Sequence, residues 1–158
     1  MKKIPINLSK GDKIAIIDTA KSISLDKLIY AENLFSNWGL IPIRSKHLLG
    51  KHKVFSGTDE QRILDFQNAI DNPEVKAIIC FRGGYGSIRR LNKLNLSVLK
   101  KNPKWIIGYS DVTAIHSYLN SQNIASLHST MPINFIDNTK ESLNSLKTFL
   151  FKNEINIS

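Results

Sequence analysis

Apolar runs typical of β-strands alternate with amphipathic helical patterns along most of this 158-residue chain. Such an order favours a largely parallel sheet covered by helices, because parallel neighbours must be joined by a crossover, usually a helix. The expected strands are 13–18, 40–44, 77–81, 105–109 and a shorter one at 125–127. The sequence therefore predicts a three-layer α/β fold in which helices flank a mostly parallel sheet.

The helices between these strands carry recognisable start and stop signals. A helix is expected over 25–38 because it ends at Gly39, and another runs to residue 70 from Thr58, which begins a capping-box spacing with Gln61. Further helices are expected at 111–119 and 140–152. The segment 45–57 has no clear period, so we expect a surface loop that borders a site.

Basic residues outnumber acidic ones by 22 to 13, which gives a net charge of +9. This charge attracts anionic ligands over about a Debye length. The lysines and arginines are nevertheless scattered, in pairs at most, and no helix-turn-helix, zinc-finger or RNP signature is present. We therefore expect a solvated basic surface and no nucleic-acid partner, while a small anionic substrate is compatible with the charge.

Targeting signals are also missing from the sequence. No apolar run approaches the ~20 residues that cross a bilayer, and no apolar segment before Gly11 resembles a signal peptide. The single cysteine, Cys80, can form no internal disulfide, which agrees with a reducing compartment but is also found in many small exported proteins. We expect a soluble, cytoplasmic protein without a membrane partner.

Two loops follow predicted strands and should open on the same edge of the sheet. One is RGGYGS at 82–87, and the other is the turn GYSD at 108–111. In open parallel sheets, ligands bind outside the carboxyl ends of the strands. Three glycines let backbone N–H groups approach a ligand, as an oxyanion hole or a phosphate cradle requires, although they also suit a plain tight turn. The spacing is neither a Walker loop nor a full dinucleotide fingerprint.

Ser110 lies where a strand turns into a helix, and two interpretations of it stand. A sharp turn of this kind can expose a nucleophilic hydroxyl beside helix N–H groups. Serine is also a preferred helix N-cap, with the N–H groups of Val112 and Thr113 in reach. A nucleophile additionally needs a base and a group that orients that base.

None of the four histidines has an obvious acidic partner in the sequence. His116 follows Ser110 by six residues, which on a regular helix turns it about 240° away, so it cannot be the base. His47 and His52 are expected on the surface of the loop, and His128 borders the same sheet edge as Ser110. No His-x-x-x-His or cysteine pair is present, so we expect no metal site, and Cys80 is expected to be a buried strand residue.

Several joined motifs resemble the LD-carboxypeptidases, serine peptidases of the murein-recycling and microcin-immunity type. They are FSGTDEQR at 55–62, PEVKAI at 73–78, RGGYG at 82–86, NPKWIIGYSDVTA at 102–114 and HSTMP at 128–132. The resemblance runs from about residue 11 to 132. It implies a flavodoxin-like or class I glutamine amidotransferase-like N-terminal domain over 1–152, with 153–158 starting a linker to a separate C-terminal domain.

The resemblance also implies the roles of particular residues. Ser110 would be the nucleophile, and the N–H groups of Asp111 and Gly84, or alternatively Gly83, would form the oxyanion hole. Arg82 and Tyr85 would bind substrate. The family's Glu and His would come from the C-terminal domain, which lies beyond these residues.

The implied activity is cleavage of the bond between the L-centre of a diamino acid and a terminal D-alanine in murein tetrapeptides. No cofactor is expected, and the expected partners are the muropeptide and the C-terminal domain. The sequence is also compatible with a homodimer. These residues alone should be nearly inactive. A microcin-immunity-type peptidase acting on a peptidyl-nucleotide and a non-catalytic anion-binding module remain alternatives. The chain departs from the family pattern at 18–20 (DTA) and 128–130 (HST), and neither segment contains the nucleophile.

Overall fold

A computed structural model describes residues 1–87 and 91–152 of the chain, and its centre is a five-stranded parallel sheet. The strands are β1 (Lys13–Ile17), β2 (Ile41–Arg44), β3 (Val75–Cys80), β4 (Trp105–Gly108) and β5 (Leu127–His128). Their spatial order is β2-β1-β3-β4-β5. This is the order of flavodoxin-like sheets, so the predicted fold class is confirmed.

The chain reverses direction across the sheet at the boundary between β1 and β3. From β1 it moves outward to β2, then returns past β1 to build β3, β4 and β5 in turn. Crevices at such switch points are the usual ligand sites of open α/β sheets. The loops that follow β1, β3 and β4 therefore start at neighbouring positions on one edge.

Helices cover both faces of the sheet, as expected for strands buried on both sides. They are α1 (Leu25–Asn37), α2 (Asp59–Asp71), α3 (Ser97–Lys101), α4 (Thr113–Ser121) and α5 (Lys140–Lys152). On β1, Ile14 and Ile16 pack with residues of α1 and α5, whereas Ala15 and Ile17 pack with residues of α2, α3 and α4. Alternating side chains of each strand thus enter two separate cores.

Local signals in the sequence account for most element boundaries. The Thr58 hydroxyl accepts the Gln61 N–H at 3.2 Å, while the Thr58 N–H donates to Gln61 Oε1 at 2.9 Å, which completes the predicted capping box. α1 ends just before Gly39, whose φ of +87° favours glycine. The sequence did not reveal α3, because five residues are too few to show a helical period.

The segment 45–57 is more firmly anchored than a plain surface loop. The His47 N–H donates to Asp65 Oδ2 at 2.8 Å, and its ring Nδ1 lies 2.8 Å from Asp65 Oδ1. Farther along, the Ser56 N–H donates to the Ala20 carbonyl at 3.0 Å, beside the loop after β1. His47 thus has an acidic partner that was not obvious in the sequence, because the packing of α2, not local sequence, brings the buried Asp65 to it.

Cys80 is fully buried at the end of β3, as predicted, and burial raises the pKa of its thiol. Within residues 1–87 and 91–152, no helix combines the length and apolar character needed to span a membrane. The expected linker at 153–158 lies outside the described residues.

Candidate active site

Ser110 occupies a strained turn between β4 and α4. Its φ is +59°, in the left-handed region that residues other than glycine rarely adopt, and its side chain is exposed. A Cβ on Gly108 would lie 2.7 Å from Val112 Cγ1, so only glycine fits two residues before the serine. Backbone strain at a strand-to-helix turn that exposes a serine is the arrangement of a nucleophile elbow.

The helix-cap interpretation of Ser110 is wrong. A 3₁₀ turn at Ser110–Val112 precedes α4, and the capping positions of these two elements are Tyr109 and Val112. Neither element has a capping hydrogen bond from a side chain. The Ser110 hydroxyl is therefore not occupied in holding its own helix.

Residues 82–87 (RGGYGS), the glycine loop, follow β3. They lie directly against residues 108–111 (GYSD), the serine turn. A Cβ on Gly83 would lie 3.0 Å from Asp111 Cβ and 3.4 Å from Asp111 N. Within the described part of the chain, the N–H groups of Gly83, Gly84 and Asp111 have no hydrogen-bond acceptor. Unpaired backbone donors close to an exposed hydroxyl are what an oxyanion hole requires.

The two residues expected to bind substrate border the same loop. Arg82 donates from Nη1 to the Ser22 carbonyl at 3.3 Å, so its guanidinium lies beside the loop after β1. Tyr85 has a φ of +64° and is 87% exposed. An aromatic ring that is this exposed at a loop tip is free to contact a ligand.

His116 does not contact Ser110. Its Nε2–H donates to the Gly108 carbonyl at 2.8 Å, since a carbonyl can only accept, and its Nδ1 accepts from Ser126 Oγ at 2.8 Å. Burial lowers the pKa of His116, which favours this neutral form. No hydrogen bond joins Ser110 to a histidine among residues 1–87 and 91–152. No histidine of these residues is therefore in position to take the proton of the Ser110 hydroxyl.

An open cavity of about 490 Å³ lies beside the serine turn, on the β5 side. Its lining includes Tyr109, His128, Thr130 and Asn134. The Tyr109 hydroxyl donates to Asn134 Oδ1 at 2.8 Å, and this bond fixes the tyrosine wall of the cavity. The space falls in the size range of small-ligand sites. No three His, Cys, Asp or Glu side chains of the described residues cluster to hold a metal ion.

Asp18 is a buried carboxyl group at the carboxyl end of β1, which the sequence marked only as a departure from the family pattern. It is 2% exposed, and its Oδ1 accepts the Thr19 N–H at 3.0 Å. Burial raises the pKa of Asp18 from 3.8 to about 7, an effect that nearby polar groups partly offset. An acidic residue directly after an apolar strand was the available signal.

Asp18→Asn is expected to make the stability of the chain less dependent on pH. Because the pKa of Asp18 is about 7 in the folded state and near 3.8 when unfolded, the folded state holds the proton more tightly. Its contribution is fully present below about pH 4 and is lost as the pH rises through about 7. Urea unfolding should show a loss on the order of 2 kcal/mol between pH 5 and 8 that the variant lacks. Equal pH dependence in both proteins would contradict this assignment.

Comparisons with known proteins agree with this geometry. The chain matches the LD-carboxypeptidase N-terminal domain over residues 14–129. It is 30% identical to the murein tetrapeptide carboxypeptidase of Pseudomonas aeruginosa over 117 residues, which cover 73% of this chain and 38% of that protein. It is 39% identical to the microcin C7 self-immunity protein MccF of Escherichia coli over 72 residues, 45% of this chain and 21% of that protein.

A solved structure of MccF in complex with glutamyl sulfamoyl guanosine has the same fold, with a TM-score of 0.88 at 20% sequence identity. The match covers 95% of this chain and 47% of that one. The chain likewise spans less than half the length of curated relatives that it matches. The family match, the sheet order and the serine turn are consistent with one another. The chain belongs to the LD-carboxypeptidase family and corresponds to the N-terminal domain of that family.

Proposed function

We propose that this chain is the nucleophile-bearing domain of a serine LD-carboxypeptidase that acts on murein tetrapeptides. The observation that carries the proposal is the exposed Ser110, held at φ +59° on a turn that packs against the glycine loop, together with the N–H groups of Asp111, Gly83 and Gly84, which have no acceptor among residues 1–87 and 91–152. The proposed reaction cleaves the amide bond between the L-centre of a diamino acid and the terminal D-alanine. Murein recycling would place the protein in the cytoplasm.

In the proposed mechanism, Ser110 Oγ attacks the carbonyl carbon of that amide and its proton passes to a histidine. The N–H groups of Asp111 and Gly84, or Gly83, stabilise the oxyanion of the tetrahedral intermediate. The histidine then protonates the departing amine of D-alanine, and a water molecule hydrolyses the acyl-serine ester. The histidine and its glutamate partner would come from the second half of the full-length protein, because no histidine among the described residues is bonded to Ser110.

Substrate contacts would come from both sides of the serine turn. Arg82 and Tyr85 border it on the β3 side, and the cavity beside Tyr109 borders it on the β5 side. The substrate carries a terminal carboxylate next to the scissile bond. A chain with a net charge of +9 attracts such an anion, and the charge of Arg82 lies on the glycine loop itself.

A peptidyl-nucleotide is the alternative substrate, and the likeness to the microcin C7 self-immunity protein supports it. The test offers both substrates to the full-length protein. We expect release of D-alanine from the murein tetrapeptide at a higher kcat/KM than hydrolysis of an aminoacyl sulfamoyl nucleoside. The reverse preference would identify the peptidyl-nucleotide, not the murein tetrapeptide, as the substrate.

A non-catalytic anion-binding module is distinguished by the same preparation. It would turn over neither substrate, and its affinity for the muropeptide would be the same with and without the Ser110 hydroxyl. Isothermal titration of the full-length protein and its Ser110→Ala variant measures that affinity. Absence of turnover together with unchanged, tight binding would refute the proposed peptidase.

A further inference from the structure

The carboxylate of Asp111 reaches away from its own helix. A carboxylate in the first turn of a helix commonly accepts hydrogen bonds from that helix's free N–H groups. Among residues 1–87 and 91–152, the capping positions of the 3₁₀ turn and α4 make no side-chain cap bond. Asp111 Oδ2 instead accepts the N–H groups of Gly86 and Ser87, both at 3.0 Å. One carboxylate oxygen therefore links the loop after β3 to the loop after β4 through two hydrogen bonds, a link called the interloop tie below.

A further hydrogen bond extends the interloop tie to the loop after β1. Ser87 is buried, and its Oγ lies 2.6 Å from Thr19 Oγ1, so the two hydroxyls share a hydrogen bond. A Cβ on Gly86 would lie 2.9 Å from both Ala20 Cα and the Thr19 carbonyl oxygen. The glycine loop is thus held between the loops that follow β1 and β4.

The position of the glycine loop matters because its N–H groups are the candidate oxyanion donors. Asp111 contributes another donor from its own backbone, and Gly83 lies so close to that residue that an added Cβ would come within 3.0 Å of Asp111 Cβ. The carboxylate fixes the end of the loop at Gly86 and Ser87, and the N–H groups of Gly83 and Gly84 have no acceptor within the described ranges 1–87 and 91–152. A misplacement of about 1 Å at such a site can cost about 100-fold in rate.

We propose that the Asp111 side chain is a positioning residue: it holds the glycine loop against the serine turn so that the two sets of N–H groups face one oxyanion. Thr19 and Ser87 extend this support to the loop after β1. The proposal rests on the proposed function, because the oxyanion arises only in that reaction. The side chain acts through the loop and touches no reacting atom.

The test compares Asp111→Ala and Asp111→Asn in the full-length protein, with Asp26→Ala, an exposed aspartate on α1, as the matched control. Asp111→Ala is expected to lower kcat for D-alanine release about 10- to 100-fold, with KM changed less than about threefold. Asp111→Asn should stay within about tenfold of the wild type, because its amide oxygen can accept both N–H bonds. Asp26→Ala should match the wild type.

Amide hydrogen exchange of the same proteins gives a readout that does not depend on turnover. Exchange in the peptide that contains 82–87 should rise in Asp111→Ala and stay near the wild-type rate in Asp111→Asn and Asp26→Ala. If Asp111→Ala yields no folded protein, Thr19→Val, which removes one hydroxyl at the far end of the tie, should raise exchange in the same peptide.

Each result decides the proposal. Unchanged exchange in Asp111→Ala, or raised exchange with unchanged kcat, overturns it, and so does an Asp111→Asn variant as impaired as Asp111→Ala. If the wild type releases no D-alanine, the proposed function fails. Raised exchange in Asp111→Ala alone would then still support the hydrogen-bonded tie between the loops.

Discussion

Replacing Ser110 with alanine in the full-length protein is expected to lower kcat for D-alanine release by at least about 10⁴-fold. The substitution removes the only atom that the mechanism uses to form a covalent bond, while the oxyanion donors and substrate contacts remain. Loss of a serine nucleophile in a triad commonly costs about as much as loss of the whole triad. KM should change little, because alanine fills the exposed position without altering the loops around it.

Ser117→Ala is the matched control for this experiment, since Ser117 is an exposed serine on α4, the helix that follows the turn. It should retain the wild-type kcat and KM. Steady-state assays of released D-alanine, made with equal amounts of each folded protein, provide the comparison. A Ser110→Ala variant that keeps more than about a tenth of the wild-type kcat would exclude Ser110 as the nucleophile.

The 158 residues assayed by themselves are expected to release D-alanine at less than about one thousandth of the full-length rate. The physical reason is that no histidine of the described residues is hydrogen-bonded to Ser110 as a base. His116 is bonded to the Gly108 carbonyl and to Ser126, and His47 is paired with Asp65. Without a base, the Ser110 hydroxyl stays protonated and is a weak nucleophile.

The same preparation supplies a control for folding and binding. Circular dichroism should show the α/β fold, and titration with the murein tetrapeptide should show whether the loops of this domain bind it alone. A rate within about tenfold of the full-length protein would mean that these residues contain their own base, which would contradict the proposed origin of the histidine.

The order of strands and helices was predictable because each element carries its own period and its own boundary signals. Thr58 and Gln61, which lie within four residues of sequence, mark the start of α2. The single residue Gly39 marks the end of α1. The prediction was weakest where an element is too short to show a period. β5 has two residues, Leu127–His128, and the predicted strand at 125–127 overlaps it at one position.

The convergence of the two loops at one edge was also predictable, since the carboxyl ends of parallel strands share that edge. The contacts within the site were not. The bonds from Asp111 to Gly86 and Ser87 join residues more than twenty positions apart, as the register of β3 with β4 brings them together. The pairing of His47 with Asp65 similarly depends on where α2 packs.

The central claim is that Ser110 forms a covalent acyl intermediate, and mass spectrometry of the full-length protein tests it most directly. The substrate is a tetrapeptide analogue with D-lactate in place of D-alanine, because its ester bond breaks readily and lets the acyl-enzyme accumulate. After rapid acid quenching, we expect a mass increase equal to the acyl tripeptide, mapped to the peptide that contains Ser110 and absent from Ser110→Ala. Hydrolysis of the analogue with the acyl group on another residue, or undiminished turnover by Ser110→Ala, would contradict the claim.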